Sequence, residues 1–181
     1  MRFKTNCFKI KSKKHKYGGT SMKGFVNDRK WIIEKKNDIA IRAMDNKDKT
    51  DQFIEKKNEI EEGISRIPTD LPDEIQRQVD AAIENIRHDL NEEGEELEQE
   101  ASEISEDADE VMDTADSISD DLKEKGNKLK DLNGIPILGN FADAKGEEVL
   151  DQADQIIDLR QETQQYQDDL LASKNRLMNH R

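Results

Sequence analysis

Few side chains in this 181-residue chain have the types and spacing that metal or nucleotide sites use. His15, His88 and His180 are far apart in sequence, and neither HExxH, CxxC nor a paired-histidine spacing occurs. Gly18-Gly19 and the pair Gly134 and Gly139 lack the lysine and the strand–loop–helix context of a phosphate-binding loop. No Gly-x-Ser-x-Gly nucleophile turn is present either.

Carboxylates are abundant, but no distinctive spacing or apolar pocket sets any of them apart as an acid or base. The acidic run 105–110 could attract Ca²⁺ loosely, yet it lacks the glycine and loop of an EF-hand, which favours a solvated helix face. Cys7 is the single cysteine, so an intrachain disulfide is impossible and no Cys–His pair lies in the helical part. The chain is therefore predicted to be non-enzymatic, with no cofactor and no bound metal.

The strongest pattern in the chain is an apolar repeat within one-sided charge. Sixteen acidic residues and no Lys or Arg lie between Asp89 and Asp121. Apolar side chains recur there at every seventh position, namely Leu90, Leu97, Ile104, Val111 and Ile118. This repeat predicts a helix with one seam to bury, and its strict period of seven predicts a left-handed supercoil.

Composition limits both the fold and the partners. The chain is 33% apolar and 39% charged, near the boundary with disorder, but a thin seam between long helices can bury most apolar residues without a wide core. The net charge is −13, although residues 1–36 hold twelve basic and two acidic residues. An acidic body argues against nucleic acid as the main ligand.

The N-terminal segment, residues 1–21, is basic and carries no heptad repeat. Two adjacent glycine codons before Thr20 and Ser21 can encode a purine-rich bacterial ribosome-binding site, which suggests that Met22 is the native start. The alternative is a flexible basic arm, and N-terminal sequencing of the native protein distinguishes the two. The chain has no apolar run of about 18 residues and no signal-peptide core. It is therefore expected to have no transmembrane helix and to be cytoplasmic, or exported without a cleaved signal peptide.

Three helices are predicted in one domain over residues 22–181, at about 25–67, 72–132 and 142–178. Prolines and glycines mark the two turns, and turns this short make consecutive helices antiparallel. The predicted fold is all-α, an elongated antiparallel three-helix bundle or coiled coil. Acidic residues 89–121 are expected opposite the basic segment 18–50. Polar residues 45–50 leave a break in the first helix open.

Three features are candidates for contact with a partner. The second turn has an apolar tip, Ile135, Ile137 and Leu138, which either caps the end of the bundle or contacts a membrane or a partner. Trp31 lies at the edge of the apolar stripe, where it packs at the bundle edge or anchors a partner. The centre of the third helix, residues 161–169, is polar apart from Tyr166 and is expected to pack loosely or against a partner.

Residues 135–144, IPILGNFADA, resemble the "IPxLGxxADA" segments that precede the toxin domain in secreted bacterial polymorphic toxins. Helical targeting modules of type VII secretion share the same general architecture. The resemblance implies a small helical partner or carrier protein from a bacterial secretion or contact-toxin locus. The chain departs from those modules because Trp31 is followed by Ile-Ile rather than x-Gly, and Tyr166 is followed four residues later by Leu170 rather than an acid.

The predicted function is that of a non-catalytic helical interaction protein, an adaptor or secretion-associated carrier that binds protein partners through helix packing. One alternative is a structural coiled-coil spacer or a subunit that assembles into a homo-oligomer. Another is a membrane-active helical hairpin that inserts the 135–138 tip, although acidic flanks oppose anionic lipid.

Overall fold

A computed structural model describes residues 22–132 and 139–180, which form three α-helices. The helices are α1 (Met22–Ser65), α2 (Asp73–Asp131) and α3 (Gly139–His180). They pack against one another without a strand in the described ranges, which confirms the all-α three-helix bundle. At 1.5 Å per residue, the 59-residue α2 is about 90 Å long. The predicted basic arm 1–21 and the apolar tip 135–138 lie outside the described residues.

Prolines set the boundary between α1 and α2. α1 ends at Ser65, two residues before the predicted end, because Ile67 precedes Pro68 and that position disfavours the helical conformation. Pro72 caps α2 with an extended ψ of 143°, and its carbonyl accepts a hydrogen bond from the Gln76 backbone N–H at 2.9 Å. Acidic residues in the first turn of α2 then favour the helix dipole.

The polar stretch 45–50 does not interrupt α1, which is a single helix through these residues. Asn46 and Thr50 point into the seam and are fully buried. The Asn46 Nδ2 group donates to the Leu97 backbone carbonyl at 3.1 Å. These side chains therefore form a buried polar layer within a continuous helix.

α1 and α2 are antiparallel, and ion pairs between them define their register. The pairs are Arg42–Asp107 at 2.5 Å, Lys49–Glu100 at 3.3 Å and Lys56–Glu93 at 2.6 Å. This register places residues 89–121 opposite about 28–60, so the predicted position of 18–50 was wrong by about ten residues. Arg87 of α2 also pairs with Glu61 of α1, which continues nearly the same register towards the turn.

α3 is antiparallel to α2 and parallel to α1, as predicted from the short turns. Arg160 pairs with Asp116 of α2 at 2.7 Å, and Arg176 pairs with Asp51 of α1 at 2.8 Å. The interface between α2 and α3 is the most extensive of the three. None of the helices in the described ranges combines the length and apolarity needed to cross a lipid bilayer.

Two side chains in the polar centre of α3 are buried inside the bundle, so the expectation of loose packing was wrong at these positions. Thr163 and Gln167 are buried. The Gln167 Nε2 group donates to the Ser105 carbonyl at 3.2 Å, the Ser105 hydroxyl at 2.9 Å and an Asp109 carboxylate oxygen at 2.8 Å. A buried amide with several acceptors satisfies its donors, which explains why a polar residue is stable here.

Candidate protein-binding surface

The side chains with potential for chemistry are spread out or engaged in helix packing. Among residues 22–132 and 139–180, no three His, Cys, Asp or Glu side chains are grouped to hold a metal ion. His88 is exposed beside Glu92 on the next turn, at 3.6 Å. Within the acidic run 105–110, Asp107 pairs with Arg42 and Asp109 accepts from Gln167. This run therefore fastens α2 to both neighbouring helices.

The Arg42–Asp107 pair is the partly buried ion pair between α1 and α2. Burial alone lowers the pKa of Arg42, but the hydrogen bond and charge of Asp107, with a smaller effect of Asp38, raise the pKa overall. The guanidinium thus stays charged while it joins the two helices. This contact is structural in character and offers no proton for catalysis.

Trp31 and Tyr166, the two described residues among the predicted partner contacts, are half-buried and pack against the main core. The structure does not bring them together. Lys36 of α1 pairs with Glu162 of α3, so Tyr166 lies about nine residues, or about 14 Å, further along the bundle than Trp31. Both contribute to the bundle, and their role in binding a partner stays a prediction. The other predicted contacts, Ile135, Ile137 and Leu138, lie outside the described residues.

Val26, Ile41 and Met44 are exposed apolar side chains at separate positions along α1. Near the N-terminal end of α1, α1 and α3 border an open groove of about 730 Å³. Arg29 and Lys30 lie on the α1 side of this groove, and acidic residues, among them Asp151, lie on the α3 side. Opposite charges therefore line the two sides of the groove.

A second stretch with exposed apolar side chains lies where α1 ends and α2 begins. We call residues 58–89 the hairpin arm. No residue between Phe53 and Leu90 is buried, although all of them are described. The arm nevertheless continues the apolar repeat, through Ile60, Ile64, Ile67, Leu71, Ile75, Val79, Ile83 and Ile86. Ile75 is 48% exposed and Ile86 is 40% exposed.

Burial of the apolar repeat stops at the level of the last α3 residues that the structure describes. Leu177 of α3 is fully buried in a cluster with Phe53, Leu90 and Leu97. One turn later, the carbonyl of His180 accepts a hydrogen bond from Lys57. Beyond that level, the described residues place only two helices side by side. The same apolar repeat is therefore buried under α3 and only partly buried past it.

The hairpin arm is also strongly acidic, with nine Asp and Glu residues against three Arg and no Lys, a net charge of −6. Arg87 of α2 joins the two helices of the arm by pairing with Glu61 of α1, with Nη2 and Oε2 3.0 Å apart. The hydrogen bond from Arg87 lowers the pKa of Glu61 from its ordinary value. The remaining acidic excess surrounds an apolar stripe, a combination suited to binding another helix.

The lengths of the predicted helices contain a signal for the hairpin arm, although they do not locate it. The predicted second helix exceeds the third by more than twenty residues, so its seam is too long for the first and third helices to cover evenly. The spacing of Ile75, Val79, Ile83 and Ile86 is that of a seam, but the repeat itself does not tell how many helices cover it.

Comparison with protein families, curated proteins and solved structures finds no match for this chain. The resemblance of residues 135–144 to bacterial toxin segments therefore stays a prediction. Any functional conclusion depends on the surfaces described above.

Proposed function

We propose that this protein is a non-catalytic helical interaction protein that binds a protein partner on its hairpin arm. The observation that carries the proposal is the contrast in burial along one apolar repeat. Phe53, Leu90 and Leu97 are buried where α3 covers them, whereas the apolar positions of the hairpin arm are only partly buried or, at Ile75 and Ile86, exposed. A partner helix that covered these positions would remove apolar surface from water, at about 25 cal/mol per Å².

The length and polarity of the arm favour a protein partner over a small molecule. The apolar stripe follows α2 from Ile75 to Ile86 and is an open surface, whereas small-molecule sites are concave and enclose most of the ligand. Its acidic flanks oppose binding to anionic lipid. An amphipathic helix matches both the linear shape and the spacing of the stripe.

Co-purification from cells that naturally make the protein tests this proposal. The bait is the full chain, compared with a variant carrying Ile75→Asp and Ile86→Asp and with the control Ile41→Asp. Ile41 is 69% exposed and lies outside the hairpin arm, so Ile41→Asp makes the same kind of substitution without altering the arm. The expected result is a protein that binds the wild type and the control directly when purified, and that the arm variant fails to bind.

Failure of the wild type to bind any protein, or binding that survives in the arm variant, would refute this function. Light scattering over a concentration series addresses the alternative of a spacer or self-assembling subunit. Reproducible assembly of the wild type that the arm changes abolish would favour that alternative.

A bacterial secretion or contact-toxin setting forms a further part of the proposal, supported by the resemblance of residues 135–144. A secretion system or toxin gene next to the gene for this protein would support that setting. A neighbourhood without such genes in several genomes would count against it and leave the helix-binding proposal intact.

A further inference from the structure

In the hairpin arm, the described residues place two helices side by side without a third. The apolar and charged side chains of the arm indicate which kind of partner would fit there. The part of the bundle that α3 covers shows how a third helix fills the groove between α1 and α2. There, the groove between α1 and α2 is filled by α3, whose apolar residues occupy the seam. Although α3 as a whole has nine acidic and four basic residues, its last turns next to the hairpin arm, residues 170–180, carry Lys174 and Arg176 and no Asp or Glu. Arg176 pairs with Asp51 of α1, and Lys174 lies 3.9 Å from Glu98 of α2.

The hairpin arm continues this groove without α3. Leu177 is the last α3 residue buried against Phe53 and Leu90, and Ile60 of the arm already packs at the edge of that cluster. Further along, Ile83 and Val79 keep the spacing of the seam but are only partly buried. A helix placed on the arm would therefore extend an interface that the bundle already uses.

The charge of the arm determines the flanking residues of that helix. The arm has a net charge of −6 and contains no lysine. A second copy of the arm would bring an equal negative charge to within a Debye length of about 8 Å. A helix with basic flanks instead gains attraction on both sides, as α3 does through Lys174 and Arg176.

We infer that the hairpin arm binds a basic amphipathic helix of a protein partner, which takes the third-helix position that α3 occupies over the rest of the bundle. This inference rests on the proposed function and adds the chemistry of the partner. The apolar stripe of the bound helix covers Ile75, Val79, Ile83 and Ile86. Its lysine or arginine residues face the acidic rims formed by the ends of α1 and α2.

A synthetic peptide of about 20 residues, about 30 Å when helical, provides the probe. Leu occupies the two seam positions of each heptad and Lys the flanking positions. A second peptide has Glu in place of Lys, and a third has the same composition as the first with its apolar order scrambled. Fluorescence anisotropy measures binding of each peptide to the full-length chain.

The Lys peptide should bind the wild type and Ile41→Asp equally, and should bind the variant with Ile75→Asp and Ile86→Asp at least tenfold more weakly. The Glu and scrambled peptides should also bind at least tenfold more weakly than the Lys peptide. The arm variant adds two negative charges, so attraction by charge alone would strengthen binding of the Lys peptide. A loss of binding therefore reports coverage of the apolar stripe.

Hydrogen exchange on the wild type gives a readout that does not depend on the variants. The Lys peptide should increase the protection of backbone amides in residues 58–89 and leave the middle of α3 unchanged. Unaltered circular dichroism spectra and melting curves should show that the arm variant keeps its fold.

Several outcomes would overturn the inference. They are absence of binding by the Lys peptide, equal binding by the Glu peptide, protection outside the arm only, or self-association of the wild type through the arm. A natural partner that binds the arm while the Lys peptide does not would refute the partner chemistry alone. Failure of both would refute the proposed function as well.

Discussion

Replacing Gly146 with alanine should destabilise the bundle, whereas the same change at Gly63 should stabilise it slightly. A Cβ atom built on Gly146 would lie 3.0 Å from the Gly126 carbonyl oxygen and 3.3 Å from the Lys130 backbone nitrogen. It would also lie 2.7 Å from Lys130 Cγ, which is part of a flexible side chain. The side chain can move aside, but the two backbone atoms can move only if α2 and α3 separate locally. Nothing lies within 4 Å of a Cβ atom on Gly63.

The magnitude follows from two opposing effects. Alanine is about 1 kcal/mol more favourable than glycine inside a helix, while overpacking at a close contact costs about 1–3 kcal/mol. We expect Gly146→Ala to lose up to about 2 kcal/mol of unfolding free energy, with a central value of about 1 kcal/mol, which corresponds to a fall in Tm of about 2–4 °C for a chain of this size. Gly63 lies near the end of α1, so Gly63→Ala should gain only about 0.5 kcal/mol.

Urea denaturation followed by far-ultraviolet circular dichroism measures both changes, with thermal melting as a second assay. The double variant Gly126→Ala with Gly146→Ala supplies a further check, because both glycines face the same crossing of α2 and α3. Once the first Cβ has separated the helices, the second should cost less, so the two losses should not add. If Gly146→Ala raises the midpoint as Gly63→Ala does, the reasoning from close helix approach is refuted.

Three other substitutions test the contacts that hold α1 in place. Arg42→Met should lower the unfolding free energy by about 0.5–1 kcal/mol, because its pair with Asp107 is only partly buried; an unchanged urea midpoint would contradict this. Asn46→Leu should raise stability by about 1 kcal/mol, since Asn46 Oδ1 is buried without a hydrogen bond in the described structure. A lower midpoint would contradict that. Arg87 lowers the pKa of Glu61, so this pair stabilises the fold above the ordinary glutamate value of 4.5 and loses that contribution as pH falls through the lower folded pKa. In Arg87→Gln, the NMR titration midpoint of Glu61 should move upward, and an unmoved midpoint would argue against the pair.

The sequence predicted the helices well because their boundaries depend on local chemistry. Pro68 and Pro72 stop α1 and start α2 wherever the chain goes next. The buried faces also follow from local periodicity, as for Ile104 and Val111 on α2. Fold class could therefore be predicted from the chain alone.

Features that depend on contacts between distant residues could not be predicted in the same way. Helix propensity alone makes Gly126 unfavourable inside α2, but this glycine allows close approach to Gly146 of α3. Gln167 was expected in a loose polar centre, but it donates to Ser105 and Asp109 across the bundle. In both cases the partner residue lies on another helix, and its identity depends on the register between helices.

That register is the least determined property of a heptad sequence. A shift of one helix by seven residues brings one apolar position onto another, so burial of the seam changes little. The ion pairs between α1 and α2 repeat with the same period, because Arg42, Lys49 and Lys56 are seven residues apart and so are their acidic partners. A slip of seven residues would separate Arg42 from Asp107 but place it opposite Glu100, so the exposed pairs, at about 0.2–1 kcal/mol each, discriminate little between such registers. Contacts that do not repeat every seven residues, such as the close approach of Gly126 and Gly146, are better suited to select one register. At the hairpin arm, an apolar stripe alone would accept many helices, and the acidic residues beside it would favour a basic one.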